Sequence, residues 1–364
     1  MPRRTATMLA STLLLIALLC AGVLIKVPYA EMSPGPTVNT LGEHGGEPVL
    51  NIKDHKNYDT SGHLNMTTVR VTGADYRMNL VEAVYGWLRH DSAVVPHSTL
   101  YPDNKSAQEV DEQNAEEFSA SQESAKVAAL EELGIPVKSR VLVSSVVKDG
   151  PSEGTLHAGD TIKAVDGRTV KDPEGVAKLV TKHEPGEKVT FTVVPAAKAK
   201  AAEKANRQPS KSDEKNVTVT TKKAPDDGRA IVGIQPGAGH TFPFEIDIKL
   251  ADVGGPSAGL MFALGIVDKL TPQDLTGGKF VAGTGTIDDN GKVGEIGGIQ
   301  MKLVAARDKG AEFFLTPSGN CPSAAKDKPD GLTLVKTRTM DDAMSALKKI
   351  RSGDTDALPQ CKAD

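Results

Sequence analysis

From Thr5 to Ile25 the chain carries no charge and is dominated by leucine, and Arg3 and Arg4 stand immediately before this run. A helix rises about 1.5 Å per residue, so roughly 20 such residues span a hydrocarbon layer of ~30 Å. Beyond it the apolar positions recur at shorter periods. Met32-Ser33-Pro34-Gly35-Pro36-Thr37 is held extended by its prolines. Leu64 to Val71 alternates and is β-rich, which predicts a strand. Leu80, Val81, Val84, Trp87 and Leu88 recur at helical spacing, predicting an amphipathic helix over 78–89 with Tyr85 and Trp87 in the core. Residues 105–132 read as a long polar helix, its Glu109, Asp111, Glu112, Glu116 and Glu117 forming a solvated face.

From Ser139 the texture changes to short strands at 141–143, 161–165, 189–194 and 217–220. Turns separate them at Asp149-Gly150-Pro151, His157-Ala158-Gly159-Asp160 and Asp166-Gly167, with a helix predicted over 173–183. The Lys/Ala/Ser-rich stretch 195–215 lacks an apolar stripe and is expected as an exposed excursion or hairpin tip. Residues 228–350 alternate between strands and helices. Phe244 to Ile248 and Phe280 to Ile287 read as strands, Ser257 to Lys269 and Lys302 to Lys309 as helices, and Glu312 to Leu315 as a further strand.

Composition changes the picture little: 39% of residues are apolar, 25% charged, 4% aromatic, and the net charge is −4. With no basic stripe and few aromatics to stack on bases, nucleic acid is not the expected partner. No two histidines sit at metal-ligand spacing, so zinc chemistry is not expected. His240, beside Gly239, has no aspartate at a spacing that would make a Ser-His arrangement and is expected at the surface. Gly283-Thr284-Gly285 lacks the third glycine of a dinucleotide loop, and no Gly-x4-Gly-Lys-Ser/Thr phosphate loop occurs in the chain. Neither nucleotide nor other cofactor is expected.

The opening run has two readings. A cleaved leader usually holds only ~7–15 apolar residues, fewer than this run, so its length favours an uncleaved anchor over residues 1–30. Arg3 and Arg4 then stay cytoplasmic and everything after the helix lies outside the membrane. Cys20 raises lipoprotein processing, but Leu19 before it is bulkier than such a cleavage site tolerates. In an oxidising compartment Cys321 and Cys361 are candidates for a disulfide; two free thiols are the other reading.

The candidate chemistry lies in two segments, Gly255-Pro256-Ser257-Ala258-Gly259 and Gly297-Gly298-Ile299-Gln300-Met301-Lys302. A serine hydroxyl needs a base, and a lysine serves once its amine is neutral. Ser257 falls at a helix start, after glycines that permit close backbone approach. The free amides and positive dipole end of that helix suit a developing oxyanion, with Gly255, Pro256 and Ala258 as the backbone positions expected around it. Lys302 falls in the first turn of the next predicted helix. The positive end of that helix and burial among Ile299, Leu303 and Val304 both lower its pKa.

These two segments, with Thr284 in Thr284-Gly285-Thr286-Ile287 between them, resemble the proteolytic domain of Lon-type serine peptidases over 228–350. The resemblance implies Ser257 as nucleophile, Lys302 as general base and Thr284 as a residue orienting the lysine amine. It also implies a hexameric ring. Val143…Val146, Gly150-Pro151-Ser152, Gly159-Asp160, Ile162…Val165-Asp166-Gly167 and Pro185-Gly186…Val189 resemble a bacterial protease-associated PDZ domain over 125–222. Such domains add an extended C-terminal peptide as a strand and capture its carboxylate on backbone amides. The matching loop would be Leu133-Gly134-Ile135; a helix C-cap glycine is the equal alternative.

The whole is similar to membrane-anchored, PDZ-bearing Lon-like proteases of bacteria. The expected fold is an α/β (α+β) proteolytic domain plus a small β-rich PDZ domain, behind an N-terminal transmembrane helix. The expected segments are an anchor at 1–30, an α/β region at 31–124, PDZ at 125–222, the proteolytic domain at 228–350 and a tail at 351–364. Gly62 to Thr67 and the helix at 78–89 resemble the opening of the Lon proteolytic fold, which would make the PDZ an insertion. Gly254 stands where many ATP-dependent relatives carry an acidic residue. The expected function is ATP-independent extracytoplasmic cleavage of unfolded or flexible polypeptides. The competing expectation is a tethered PDZ scaffold whose dyad is silent.

Overall fold

The computed structural model describes residues 3–89, 91–102, 104–204, 208–250 and 253–363. Two compact units divide the chain. One comprises 1–52, 56–134 and 246–364, and the other 53–55 with 135–245, so the second interrupts the first along the sequence.

The first unit opens with α1 (Arg3–Leu24), the charge-free run, whose 18-residue stretch Thr7–Leu24 is long and apolar enough to cross a membrane. There follow β1 (Tyr29–Asn39), β2 (Leu50–Ile52), β3 (His63–Val71), α2 (Leu80–Leu88), β4 (Ala93–Pro96) and α3 (Ala107–Glu132). Both α2 and α3 begin with a capping box, Asn79 with Glu82 and Ser106 with Glu109, which satisfies two amide donors at each start.

The second unit is β5 (Lys138–Val146), β6 (Thr161–Val165), α4 (Pro173–Val180), β7 (Lys188–Val194), α5 (Ala196–Lys204), β8 (Lys215–Thr220) and β9 (Ile234–Thr241). Its strands form an antiparallel sheet in the order β8-β7-β6-β5-β9. Phe191, Ile162, Val143, Val189 and Leu156 fill the core beneath it.

The chain then re-enters the first unit through β10 (Ile246–Ile248), which pairs with β2. It continues through α6 (Gly259–Leu270), β11 (Phe280–Gly283), α7 (Ile299–Asp308), β12 (Phe313–Pro317), α8 (Cys321–Lys326), β13 (Thr333–Thr337) and α9 (Met340–Ser352). The central sheet runs β13-β12-β11-β3-β1-β4. The pairings from β13 to β3 are parallel and those from β3 to β4 antiparallel. Segments on both sides of the interruption therefore build one sheet. All five residues of β12 are buried, as a parallel strand covered on both faces requires. Apolar around almost its whole circumference, α6 is a core helix packed against β3 and α3.

Several expectations are corrected. The return to the first unit does not coincide with the boundary expected at 228: residues up to Thr241 pair with β5 in the second unit, and 246 begins the return. Likewise the second unit starts at 135, and α3 belongs to the first, where Phe118, Ala125 and Leu130 are buried. The acidic run of α3 is a largely exposed face, as expected, while its other face buries Phe118, Ala125 and Leu130. The stretch 195–215 forms the tip joining the antiparallel pair β7 and β8, as one of its two readings expects, but it is not wholly exposed: it contains α5, with Ala199 and Ala202 buried, while its residues 205–207 lie outside those described. His240 is buried on β9 rather than exposed. Tyr85 and Trp87 are 63% and 77% exposed rather than in the core.

Candidate active site

Ser257 lies in a turn just before α6, half-buried at the floor of a cleft of about 500 Å³. Gly255 adopts φ +78°, a conformation that favours glycine, and its N–H donates to the Asn114 carbonyl at 2.9 Å. The Ser121 hydroxyl donates to the Pro256 carbonyl at 2.9 Å. Thus α3, read from sequence as a long polar helix, clamps the serine loop from one side. Residue types alone carried no signal for Asn114 or Ser121, because the contacts depend on how α3 docks on α6.

From the other side, the strand predicted over 280–287 breaks after Gly283. Thr284 and Gly285 both turn toward the serine: the Thr284 hydroxyl and the Gly285 N–H each donate to the Ser257 carbonyl at 2.9 Å. Thr67 on β3 donates to the Gly283 carbonyl at 3.1 Å and fixes the end of β11. It too went unread in the sequence, as one hydroxyl among many on a strand.

Lys302 arrives on α7, which packs against β1 and β3. The helix starts after Gly298, whose φ is +66° and where a Cβ would come within 2.7 Å of Val69 Cγ2. Only glycine lets α7 approach β3 this closely. Lys302 is 3% exposed. Its Nζ lies 2.7 Å from Ser257 Oγ and 2.9 Å from Thr284 Oγ1. Burial removes water from the ammonium and pulls its pKa down from 10.5 to about 7. An amine poised near neutrality beside a hydroxyl can take its proton, the requirement for a nucleophilic serine.

The three residues Ser257, Lys302 and Thr284 therefore meet. The expected oxyanion donors divide. Pro256 has no N–H, and the Gly255 N–H is already held by Asn114. Ala258 remains, together with the Ser257 N–H itself. Met32, Pro36, Met66, Val69 and Arg70 from β1 and β3 line the cleft beside the serine. Among the described residues, no group of three or more His, Cys, Asp and Glu side chains is gathered as metal ligands.

In the second unit, α4 lies along β9, the edge strand of its sheet. A groove between them is lined by Val176, Ala177, Val180 and Thr181 of the helix and by residues 229–234. Leu133 and Gly134 belong to the first unit, at the C-terminal end of α3, where Gly134 has φ +66° and caps the helix, the alternative reading of that glycine. The groove-lining glycine is Gly233, at φ +70°, in Val232-Gly233-Ile234. Cys321 and Cys361 are joined by a disulfide, with Cα atoms 4.9 Å apart.

Comparison with known families places names on both parts. A model of the PDZ domain matches residues 119–204, and one of the Lon protease (S16) C-terminal proteolytic domain matches residues 251–348. Lon protease 2 of Bacillus subtilis is 34% identical over 97 residues, 26% of this chain and 17% of that protein. A Lon protease of Roseiflexus castenholzii is 43% identical over 68 residues, 19% of this chain and 8% of that protein. A probable periplasmic serine endoprotease, DegP-like, of Brucella suis is 42% identical over 62 residues, 17% of this chain and 12% of that protein. The chain thus spans less than a fifth of the length of these curated relatives. Among solved structures, the PDZ domain of an SdrC-like protein of Listeria monocytogenes matches at 22% identity, covering 27% of this chain and 86% of that one with a TM-score of 0.21. By its family matches, the chain contains a PDZ domain and a Lon-type (S16) C-terminal proteolytic domain, and through the latter it is a relative of the Lon serine proteases.

Proposed function

We propose that this chain is an ATP-independent serine endopeptidase, tethered by α1 with both units outside the membrane, that cleaves unfolded or flexible polypeptides. The observation that carries the reading is the 2.7 Å approach of a buried amine, its pKa near 7, to the Ser257 hydroxyl. In the proposed reaction, neutral Lys302 takes the Ser257 proton as Oγ attacks the scissile carbonyl. The N–H groups of Ser257 and Ala258 receive the oxyanion. Lys302, now an ammonium, gives its proton to the leaving amine as the C–N bond breaks, leaving an acyl ester on Ser257. A water deprotonated by Lys302 then releases the acid and regenerates the serine. Thr284 positions the amine and braces the Ser257 carbonyl.

The disulfide between Cys321 and Cys361 supports an oxidising compartment, as does likeness to a relative named periplasmic. For the second unit we infer that a peptide C-terminus adds along β9 against α4, with Val232-Gly233-Ile234 as the loop facing its carboxylate. On this reading the PDZ unit is an insertion in one discontinuous proteolytic domain. Ser257→Ala and Lys302→Ala are each expected to abolish hydrolysis of a disordered protein substrate while the circular dichroism spectrum is retained. A serine-directed probe should label the parent at Ser257 and neither variant. Hydrolysis that persists in either variant would remove the dyad, and a parent that is never labelled between pH 6 and 9 would leave a tethered peptide-binding scaffold.

A further inference from the structure

The helix α2 is built the wrong way round for a soluble protein. Its inward face is small: Ala83 and Gly86 are buried, and a Cβ on Gly86 would come within 2.9 Å of Val94 Cγ2 on β4. Its outward face carries the bulk. Leu80, Val84, Tyr85, Trp87 and Leu88 are 40%, 47%, 63%, 77% and 70% exposed. Scattered exposed leucines need no explanation, but a contiguous aromatic and aliphatic helix face does.

What covers it is indicated by how α2 is tied to α1. The Leu80 N–H donates to the Ile25 carbonyl at 3.0 Å, and the Val27 N–H to the Met78 carbonyl at 2.9 Å. Lys26 and Asn79 form a β-bridge, and a Cβ on Gly22 would sit 2.9 Å from Val81 Cγ2. The first residue of α2 is thereby fixed one residue beyond the end of the apolar helix. If α1 crosses a bilayer, α2 begins at the level where the hydrocarbon ends. Trp, Tyr and Leu on one helix face are the composition suited to that boundary. Lys26 and Arg77, both exposed beside the start of α2, add positive charge facing anionic headgroups. The acid of α2, Glu82, is turned away into its capping box and the Tyr76 hydroxyl.

We propose that the outward face of α2 seats in the headgroup–acyl boundary of the membrane that α1 crosses, so that the proteolytic unit is docked on the lipid surface rather than swinging on a leash. The proposal rests on the reading of α1 as a membrane span, and its test separates the two. Trp87 is the sole tryptophan of the chain, and Cys20, in α1, is its one cysteine outside the disulfide.

The full chain is reconstituted into phosphatidylcholine–phosphatidylglycerol vesicles. Trp87 emission should shift to the blue, resist aqueous acrylamide and be quenched more by lipids brominated near the headgroup than by those brominated deep in the chain. That pattern matches a seat ~5–10 Å into the interface. Tyr85→Asp with Leu88→Asp should return Trp87 to acrylamide without changing hydrolysis of a small soluble peptide. If Cys20 is shielded from an impermeant maleimide while Trp87 stays wet, the anchor stands and the docking is overturned. If Cys20 reacts fully, the anchor reading has failed and the docking with it. Shielding of Trp87 that grows with protein concentration and shows no bromine quenching would mean that a second copy covers the face, and would also overturn the proposal.

Discussion

Thr284 Oγ1 stands between Lys302 and Ser257: it lies 2.9 Å from the lysine Nζ and donates its own proton to the Ser257 carbonyl at 2.9 Å. A single hydroxyl thus contacts the Lys302 amine and holds the backbone of Ser257. Thr284→Val keeps the shape and removes both bonds, and misplacing a reacting pair by a fraction of an ångström is costly. The variant should lose about 10- to 100-fold in kcat with little change in KM, and Thr284→Ser should recover most of it. Steady-state kinetics on one peptide substrate decides this. A loss confined to KM would mean that Thr284 touches substrate instead.

The dependence of rate on pH follows from the amine. In the proposed reaction Lys302 must be neutral to take the serine proton, and burial brings its pKa to about 7. kcat/KM should therefore rise with pH, with a slope of about one below the midpoint, and level off above pH 7 to 8. A profile flat from pH 5 to 9 would show that no group with such a pKa controls the reaction.

The same depression makes Lys302 a burden on the fold. In the unfolded chain the amine holds its proton up to 10.5, whereas in the folded one it releases it near 7. Between these values the unfolded state binds more protons, so stability rises with pH across that window, and the penalty is fully present below 7. A shift of this size corresponds to roughly 4–5 kcal/mol as an upper figure. Lys302→Met fills the same volume without the charge, although it gives up two hydrogen bonds of about 1 kcal/mol each. It should be inactive yet more stable than the parent by about 1–3 kcal/mol at pH 6, the gain shrinking toward pH 10. Denaturant unfolding at a series of pH values measures it. A gain independent of pH would sever it from the lysine charge.

How much of this was legible in the chain depends on range. Ser257, Thr284 and Lys302, which the structure brings within hydrogen-bond reach, could be singled out because each sits in a short local pattern of glycines and small residues whose backbone demands are visible in one dimension. The charge-free α1 was equally plain. The helix α2 was located by its periodicity, but period alone does not say which face looks inward. The small pair Ala83 and Gly86 took the inside because β1 and β4 leave no room for a larger side chain there. The clamp from Asn114 and Ser121 was invisible because it needs the docking of α3 on α6. The same holds for the groove proposed for the peptide. Leu133-Gly134-Ile135 has residue types suited to a carboxylate loop, but that the strand beside α4 is β9 follows only from the sheet order.

That substitution of one Gly-Ile pair for another can be checked directly. Ala177 is exposed on the groove-facing side of α4, so a large ring placed there fills the space beside β9 without entering the core. Ala177→Trp should weaken binding of peptides with free C-termini by about tenfold or more, equivalent to about 1.4 kcal/mol. Unfolding and hydrolysis of a short peptide at Ser257 should both be unchanged, because the substitution lies in a different unit from the dyad. Changes at Leu133, by contrast, should alter stability through the end of α3 and leave peptide affinity alone. Isothermal titration with a peptide and with its C-terminal amide separates the cases. Equal binding of acid and amide would argue that the groove holds an internal segment rather than a chain end. Loss of binding in a Leu133 variant, with Ala177→Trp unaffected, would move the site back to the loop ahead of β5.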